Sequence, residues 1–383
     1  MIAAAPPLLH GYSPTQQNRT MTTYSGLADF HHDQQCCTGI LLVNLGTTAA
    51  PTVAEVRRYL AEFLWDPRVV EMPRAVWWLM LHAVILRIRP ARVAHAYQAI
   101  WTEAGSPLLA ISERLVAAWQ PQLSAQAGPQ VEIELGMRYG KPSIEAALHR
   151  LRERGMRRLL VLPMYPQYSA TTTASVFDEV ARVLHGWRWV PELRFIQNYH
   201  DQAAYIRGLA DSVRAHWQQA GQAEKLMLSF HGIPTRYIHA GDPYFCECQK
   251  TARLLVEELG LDVGQWKLTF QSRVGREEWL QPYTDATLGE WGKAGVRSVD
   301  VLCPGFSVDC LETLEEINMQ NRELFARSGG GRYSYIPALN DSAAQIELLN
   351  ELVLKHTQGW EAGDNDEQLQ ARQQRARSLG ASR

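Results

Sequence analysis

The chain has 383 residues, 46% hydrophobic and 20% charged, enough apolar material for two or three packed domains, which excludes wholesale disorder. Lys and Arg number 38 against 40 Asp and Glu, so no global positive field points to nucleic acid. Six cysteines are too few for a secreted disulfide scaffold and fit a reducing cytosol.

Residues 1–37 read as a disordered polar tail without a secretory signal, with Met21 as an alternative start. An apolar run at 40–43, between Gly39 and Gly46, predicts a buried strand. Thr52 and Glu55 form a capping box ahead of a helix with Val56, Leu60, Phe63 and Leu64 on one face. Residues 75–86, with Trp77 and Trp78, fall short of the ~20 apolar residues that span a bilayer. Two readings stay open there: a buried helix, or an apolar lip against a hydrophobic ligand or membrane surface, since paired Trp near Arg87 and Arg89 suit an interface.

Further along, Gly105-Ser106-Pro107 marks a turn, and 131–135 predicts a strand. Arg138 and Tyr139 follow it, and a guanidinium fork there suits a ligand carboxylate. Ser143 caps a helix carrying Ile144, Leu148 and Leu151, which Gly155 ends. The next strand, 159–162, exits into Tyr165 and Tyr168, which either line a flat aromatic ligand or pack a turn. A helix around Phe177, Val180 and Leu184 comes next.

A shift of 140 positions superimposes Pro142 on Pro282, Gly155 on Gly295, Val161 on Val301, Asp201 on Asp341 and Ile206 on Ile346. One offset held over several elements predicts an α/β fold of two similar Rossmann-like halves, parallel sheets flanked by helices, with a cleft at the strand exits. The halves are placed at 38–198 and 199–358, with a last helix at about 341–356 and a disordered, Gln- and Arg-rich tail at 359–383.

In the second half, a strand at 226–230 leads directly into His231-Gly232-Ile233-Pro234. Another strand ends at Cys303, and a helix beginning near Asp309 carries Glu312, Glu315 and Glu316. Glu312 and Glu316 are four apart and share a helical face, with Gln320 one turn further. Acids near an imidazole suit a divalent metal such as ferrous iron, and proton transfer; a solvated helix start explains Glu315 equally well. No Walker loop, dinucleotide fingerprint or nucleophile elbow occurs, and Cys246 and Cys248 lack zinc-knuckle spacing.

Ser229-Phe230-His231-Gly232-Ile233-Pro234 resembles the signature of ferrochelatases, and Leu311-Glu312-Thr313-Leu314-Glu315-Glu316 resembles their acidic helix. Residues 41–47, 105–107, 165–169 and 271–275 match further blocks in family order. The resemblance implies insertion of ferrous iron into protoporphyrin IX in a cleft between two halves, by a lyase of haem synthesis. It implies that His231 and Glu312 face each other across the cleft as metal and proton-handling groups, with Glu316 extending the acidic row. Leu45, Tyr165, Val274 and Trp279 would then pack on the macrocycle, and Ser106, Arg138 and Tyr139 would bind the porphyrin nearby. Gln320 stands where some relatives continue the acids, and no cysteine follows Cys310, so the iron–sulfur cluster of animal relatives is not expected.

The expected partners are protoporphyrin IX and Fe2+ as substrates, with no permanently bound cofactor and no nucleic acid. A cytoplasmic monomer touching the inner membrane peripherally is expected. A chelatase for another tetrapyrrole such as coproporphyrin, or a non-catalytic haem carrier, remains the alternative; a carrier would not need acids beside the imidazole. The side from which iron arrives stays open.

Overall fold

Glycine at both ends and β-branched or Leu residues between them make the first apolar run a strand buried on both faces. It forms β1 (Cys37–Gly46), the centre of the first sheet in this computed structural model, which describes residues 24–27, 30–275, 277–360 and 363–381. Met21 lies outside the described residues. Gly46 has φ +105°, and a Cβ there would lie 1.7 Å from the Tyr139 carbonyl oxygen, so only glycine closes this strand exit.

A helical insertion follows: α1 (Val53–Trp65), α2 (Arg74–Met80), a wide π-type turn (Leu81–Ile85), α3 (Leu86–Ile100) and α4 (Pro107–Ala127). Thr52 caps α1 through the Glu55 amide, but the other half of the expected capping box is missing because the Glu55 side chain pairs with Arg58; Val56, Leu60 and Leu64 are buried. The first sheet then continues with β2 (Val131–Tyr139), α5 (Ile144–Glu153), β3 (Met156–Pro163), α6 (Ser175–His185) and β4 (Glu192–Phe195). β2 is longer than the 131–135 expected, so Arg138 and Tyr139 are strand residues.

The second half repeats this plan. After α7 (Ala203–Ala220) come β5 (Lys225–His231), α8 (Thr235–His239), α9 (Tyr244–Leu259), β6 (Trp266–Gln271), α10 (Thr284–Lys293) and β7 (Ser298–Leu302). A ten-residue π-type helix (Glu312–Asn321), α11 (Arg322–Arg327), β8 (Arg332–Ile336) and α12 (Ala343–His356) complete it. The two sheets have orders β2-β1-β3-β4 and β6-β5-β7-β8, all pairs parallel. The 140-residue repeat superimposes α5 on α10 and the start of α7 on that of α12. The boundary drawn at 198/199 falls between β4 and α7, which packs on α9 and α12 of its own, second half. The largest of the apolar clusters runs through both halves, from Ile40 and Leu162 to Phe230 and Leu349.

The C-terminal stretch expected to fray contains a helix, α13 (Asp366–Ser378), entered through an Asn365–Gln368 capping box. Its residues look solvated, but Leu369 is buried, and Arg372 donates to the backbone carbonyls of His32 and Gln34. Long-range anchors of this kind leave no local sequence pattern. At the other end, Ser25 bridges to Trp187, and Cys37 already belongs to β1.

Candidate active site

β5 delivers His231 at its last residue, at the carboxyl edge of the sheet where open α/β folds bind ligands. Gly232 must follow it: a Cβ there would meet the Gln271 carbonyl oxygen at 2.9 Å and the Trp279 ring at 3.3 Å. The Tyr244 hydroxyl donates to the His231 carbonyl at 2.9 Å and fixes the backbone. His231 Nδ1 lies 2.6 Å from the Gly232 carbonyl oxygen. A carbonyl can only accept, so Nδ1 carries a proton, and in the neutral form of the ring the lone pair then lies on Nε2.

The acidic helix is not an α-helix. Its π-type i→i+5 pattern, a form found mostly at functional sites, redistributes the side chains. Gln320 donates to both oxygens of Glu315, five residues back, at 2.7 and 2.8 Å. This corrects the row drawn through Glu312, Glu316 and Gln320: Gln320 pairs with the outward Glu315 instead.

Glu316 accepts two hydrogen bonds from Ser272, from its backbone N–H at 2.9 Å and from its hydroxyl. Ser272 holds φ +67°, a left-handed conformation uncommon for serine, and this turn aims both donors at one carboxylate. Burial nevertheless pushes the Glu316 carboxyl up; the Ser272 bonds and the His231 charge pull it down, and Glu312 pushes it up again. Ser272 was missed as a site residue, although it sits directly after β6, the strand-exit position that singled out His231. Glu312 is held through its carbonyl by Gln271 Nε2 at 3.1 Å. Its charge raises the Tyr59 and Tyr97 phenols of the first half, for both of which burial is the larger cause, and also the buried Cys310 thiol.

His231 and Glu312 both stand on the second half: His231 ends β5, and Glu312 opens the helix that follows the adjacent strand β7. Tyr59 and Tyr97 of the helical insertion belong to an apolar cluster against which Leu45 of β1 and Leu311 of the second half both pack. Among the described residues, no three His, Cys, Asp or Glu side chains converge as a metal cage.

The Tyr165 hydroxyl and the Trp279 indole N–H are buried without a hydrogen-bond partner in the structure. Buried polar groups are ordinarily satisfied, so these two fit a surface that a ligand or water completes. Val274 is 44% exposed on the loop after β6.

Three other expected contacts are engaged elsewhere. Ser106 is buried, with its hydroxyl 2.8 Å from that of Thr47. Arg138 pairs with Asp66 at 2.5 Å and donates to Ser175 Oγ at 2.7 Å. Tyr139 is buried, and its hydroxyl donates to the same Asp66 oxygen at 2.8 Å. The Arg138 guanidinium that a porphyrin carboxylate would need is thus already engaged by Asp66 and Ser175.

The Trp77–Trp78 segment is part buried and part exposed. Trp77 is buried, and its indole N–H donates to the Leu64 carbonyl at 2.6 Å. Val76, Trp78, Leu79, Met80, Val84 and Ile88 point outward, 43–69% exposed. No described helix is long and apolar enough to cross a membrane.

Comparison with known proteins agrees with this geometry. The ferrochelatase family model matches residues 37–357. The ferrochelatase of Nitrosococcus oceani is 55% identical over 94% of this chain and 99% of its own length. That of Thioalkalivibrio sulfidiphilus is 53% identical over 93% and 98%. Among solved structures, SirB from Bacillus subtilis with Fe3+ superposes with a TM-score of 0.49 at 13% identity, over 84% of this chain and 96% of that one. With the family match running from β1 to the end of α12, and half of all residues shared along nearly the full length of its relatives, this chain is a member of the ferrochelatase family.

Proposed function

We propose that the chain inserts ferrous iron into protoporphyrin IX with loss of two pyrrole protons, giving protohaem in the last step of haem synthesis. The observation that carries this reading is the His231 tautomer beside an acidic pair. With Nδ1–H on the Gly232 carbonyl, Nε2 is the free base in the cleft, and imidazole takes and gives protons near neutral pH. The Gly232 carbonyl would also stabilise the imidazolium that forms when a pyrrole proton is accepted. Glu316, whose carboxyl is pushed up by burial, is suited to take that proton onward, while Glu312 meets the cation at the macrocycle.

A flat porphyrin hides its N–H groups, so the site must hold the ring bent. Leu45 and Tyr165 from the first half and Val274 and Trp279 from the second would grip it from two sides. The outward face of α2 and α3, with Arg87 and Arg89 nearby, would rest on the inner membrane, from which an apolar porphyrin is collected.

The test is His231→Ala. Metal insertion should be nearly abolished while porphyrin affinity stays within about tenfold, or ~1.4 kcal/mol. Turnover like that of the unaltered chain would remove His231 from the mechanism.

A further inference from the structure

At the opposite end of the first sheet, a cavity of about 230 Å3 is lined by Leu27, Phe30, Arg152, Met156, Arg157, Trp187 and Trp189. It lies at the start of β3, whose eight residues at ~3.3 Å each place it roughly 25 Å from the Tyr165 end. It shares no residue with the cleft.

The charges in this cavity are unusual. Arg152 is only 8% exposed, and its guanidinium donates to one neutral oxygen, Ser25 Oγ, at 3.0 Å. Arg157 donates to the Met156 carbonyl at 3.3 Å. Neither meets a carboxylate among the described residues. By contrast, Arg150 on the Arg152 helix and Arg154 just past its end reach Glu134 and Glu132 at 2.7–3.0 Å. Burial, and then the Arg157 charge, hold the Arg152 guanidinium below the usual arginine range. Both guanidiniums are also held in place: Arg152 lies 4.6 Å over the Trp187 ring and Arg157 3.9 Å over the Trp189 ring. Two fixed cations in one pocket, one of them buried, are the arrangement that an anion relieves.

We propose that this cavity is a second binding site, for a small oxyanion (a carboxylate or a phosphate) carried on a flat apolar body. The guanidiniums would grip the oxygens, and Phe30 and the indoles would take the ring. The volume is below that of ordinary drug-sized pockets and limits the ligand to about one ring.

The test is thermal unfolding of the full chain with benzoate, phenyl phosphate or inorganic phosphate, against chloride at matched ionic strength. Benzoate or phenyl phosphate should raise Tm saturably, and the better of the two identifies the anion; inorganic phosphate should act more weakly. Arg152→Gln, and independently the half-buried Arg157→Gln, should weaken the apparent affinity by about tenfold or more without altering metal insertion. A shift that never saturates, or one unchanged in both variants, overturns the proposal. So does binding that appears only in Asp29→Asn, because this acid, outside the described residues, would then be the cavity's own occupant.

Discussion

Trp77 and Trp78 are adjacent in sequence, but one is buried and the other exposed, so if the outward face rests on a membrane their substitutions should separate stability from surface binding. Trp77 is 6% exposed and donates its indole N–H to the Leu64 carbonyl. Truncating a buried Trp to Ala costs ~3–5 kcal/mol, a large share of the ~5–15 kcal/mol that holds a domain folded. Trp77→Ala should therefore move the urea midpoint strongly. Trp78 and Leu79 are 53% and 60% exposed, and surface substitutions of this kind stay within about 0.5 kcal/mol. About half of each side chain remains to be buried in lipid. Full burial is worth ~1.5–3 kcal/mol, so replacing both by Ser should forfeit about 2 kcal/mol of membrane association, roughly thirtyfold. Co-sedimentation with liposomes measures this directly. Equal losses of stability in the two variants, or unchanged liposome binding by the Trp78/Leu79 variant, would refute the lip.

Other expectations follow from the same geometry. Glu312→Gln keeps shape and removes charge next to the reacting centre; kcat should fall at least about a hundredfold, ~2.7 kcal/mol, and more than in Glu316→Gln, as steady-state assays would show. Because burial raises the Glu316 carboxyl, its ionisation subtracts stability as pH climbs above the ordinary value of 4.5 through the raised one. Glu316→Gln escapes that loss, so its stability relative to the unaltered chain should grow from about pH 4 to pH 7 in urea titrations. Arg138→Gln leaves the buried Asp66 carboxylate without its cation and should cost about 3 kcal/mol of stability. Porphyrin affinity of the folded variant, followed by fluorescence quenching, should change only a few-fold.

What the sequence could and could not announce has physical causes. The repeat was legible because helix caps, glycine stops and apolar strands are local signals, and the 140-residue offset preserves them from Pro142 to Ile346. His231 was legible because a strand exit can be read from its apolar run. The width of the acidic helix was not: an i→i+5 ladder has no composition of its own, so Gln320 was placed on the wrong row. The engagement of Arg138 and Tyr139 by Asp66 spans more than seventy residues and is invisible to spacing rules. Paired Trp residues gave the right alternatives but not their division, which depends on the phase of a helix that passes through a wide turn at Leu81–Ile85.

The most direct test of the account is anaerobic incubation of the purified chain with Fe2+ and either protoporphyrin IX or coproporphyrin, followed by absorbance. The predicted result is conversion of the free-base spectrum to that of protohaem, faster with protoporphyrin IX than with coproporphyrin and lost in His231→Ala. Binding of either porphyrin without metal insertion, or insertion into coproporphyrin alone, would contradict it.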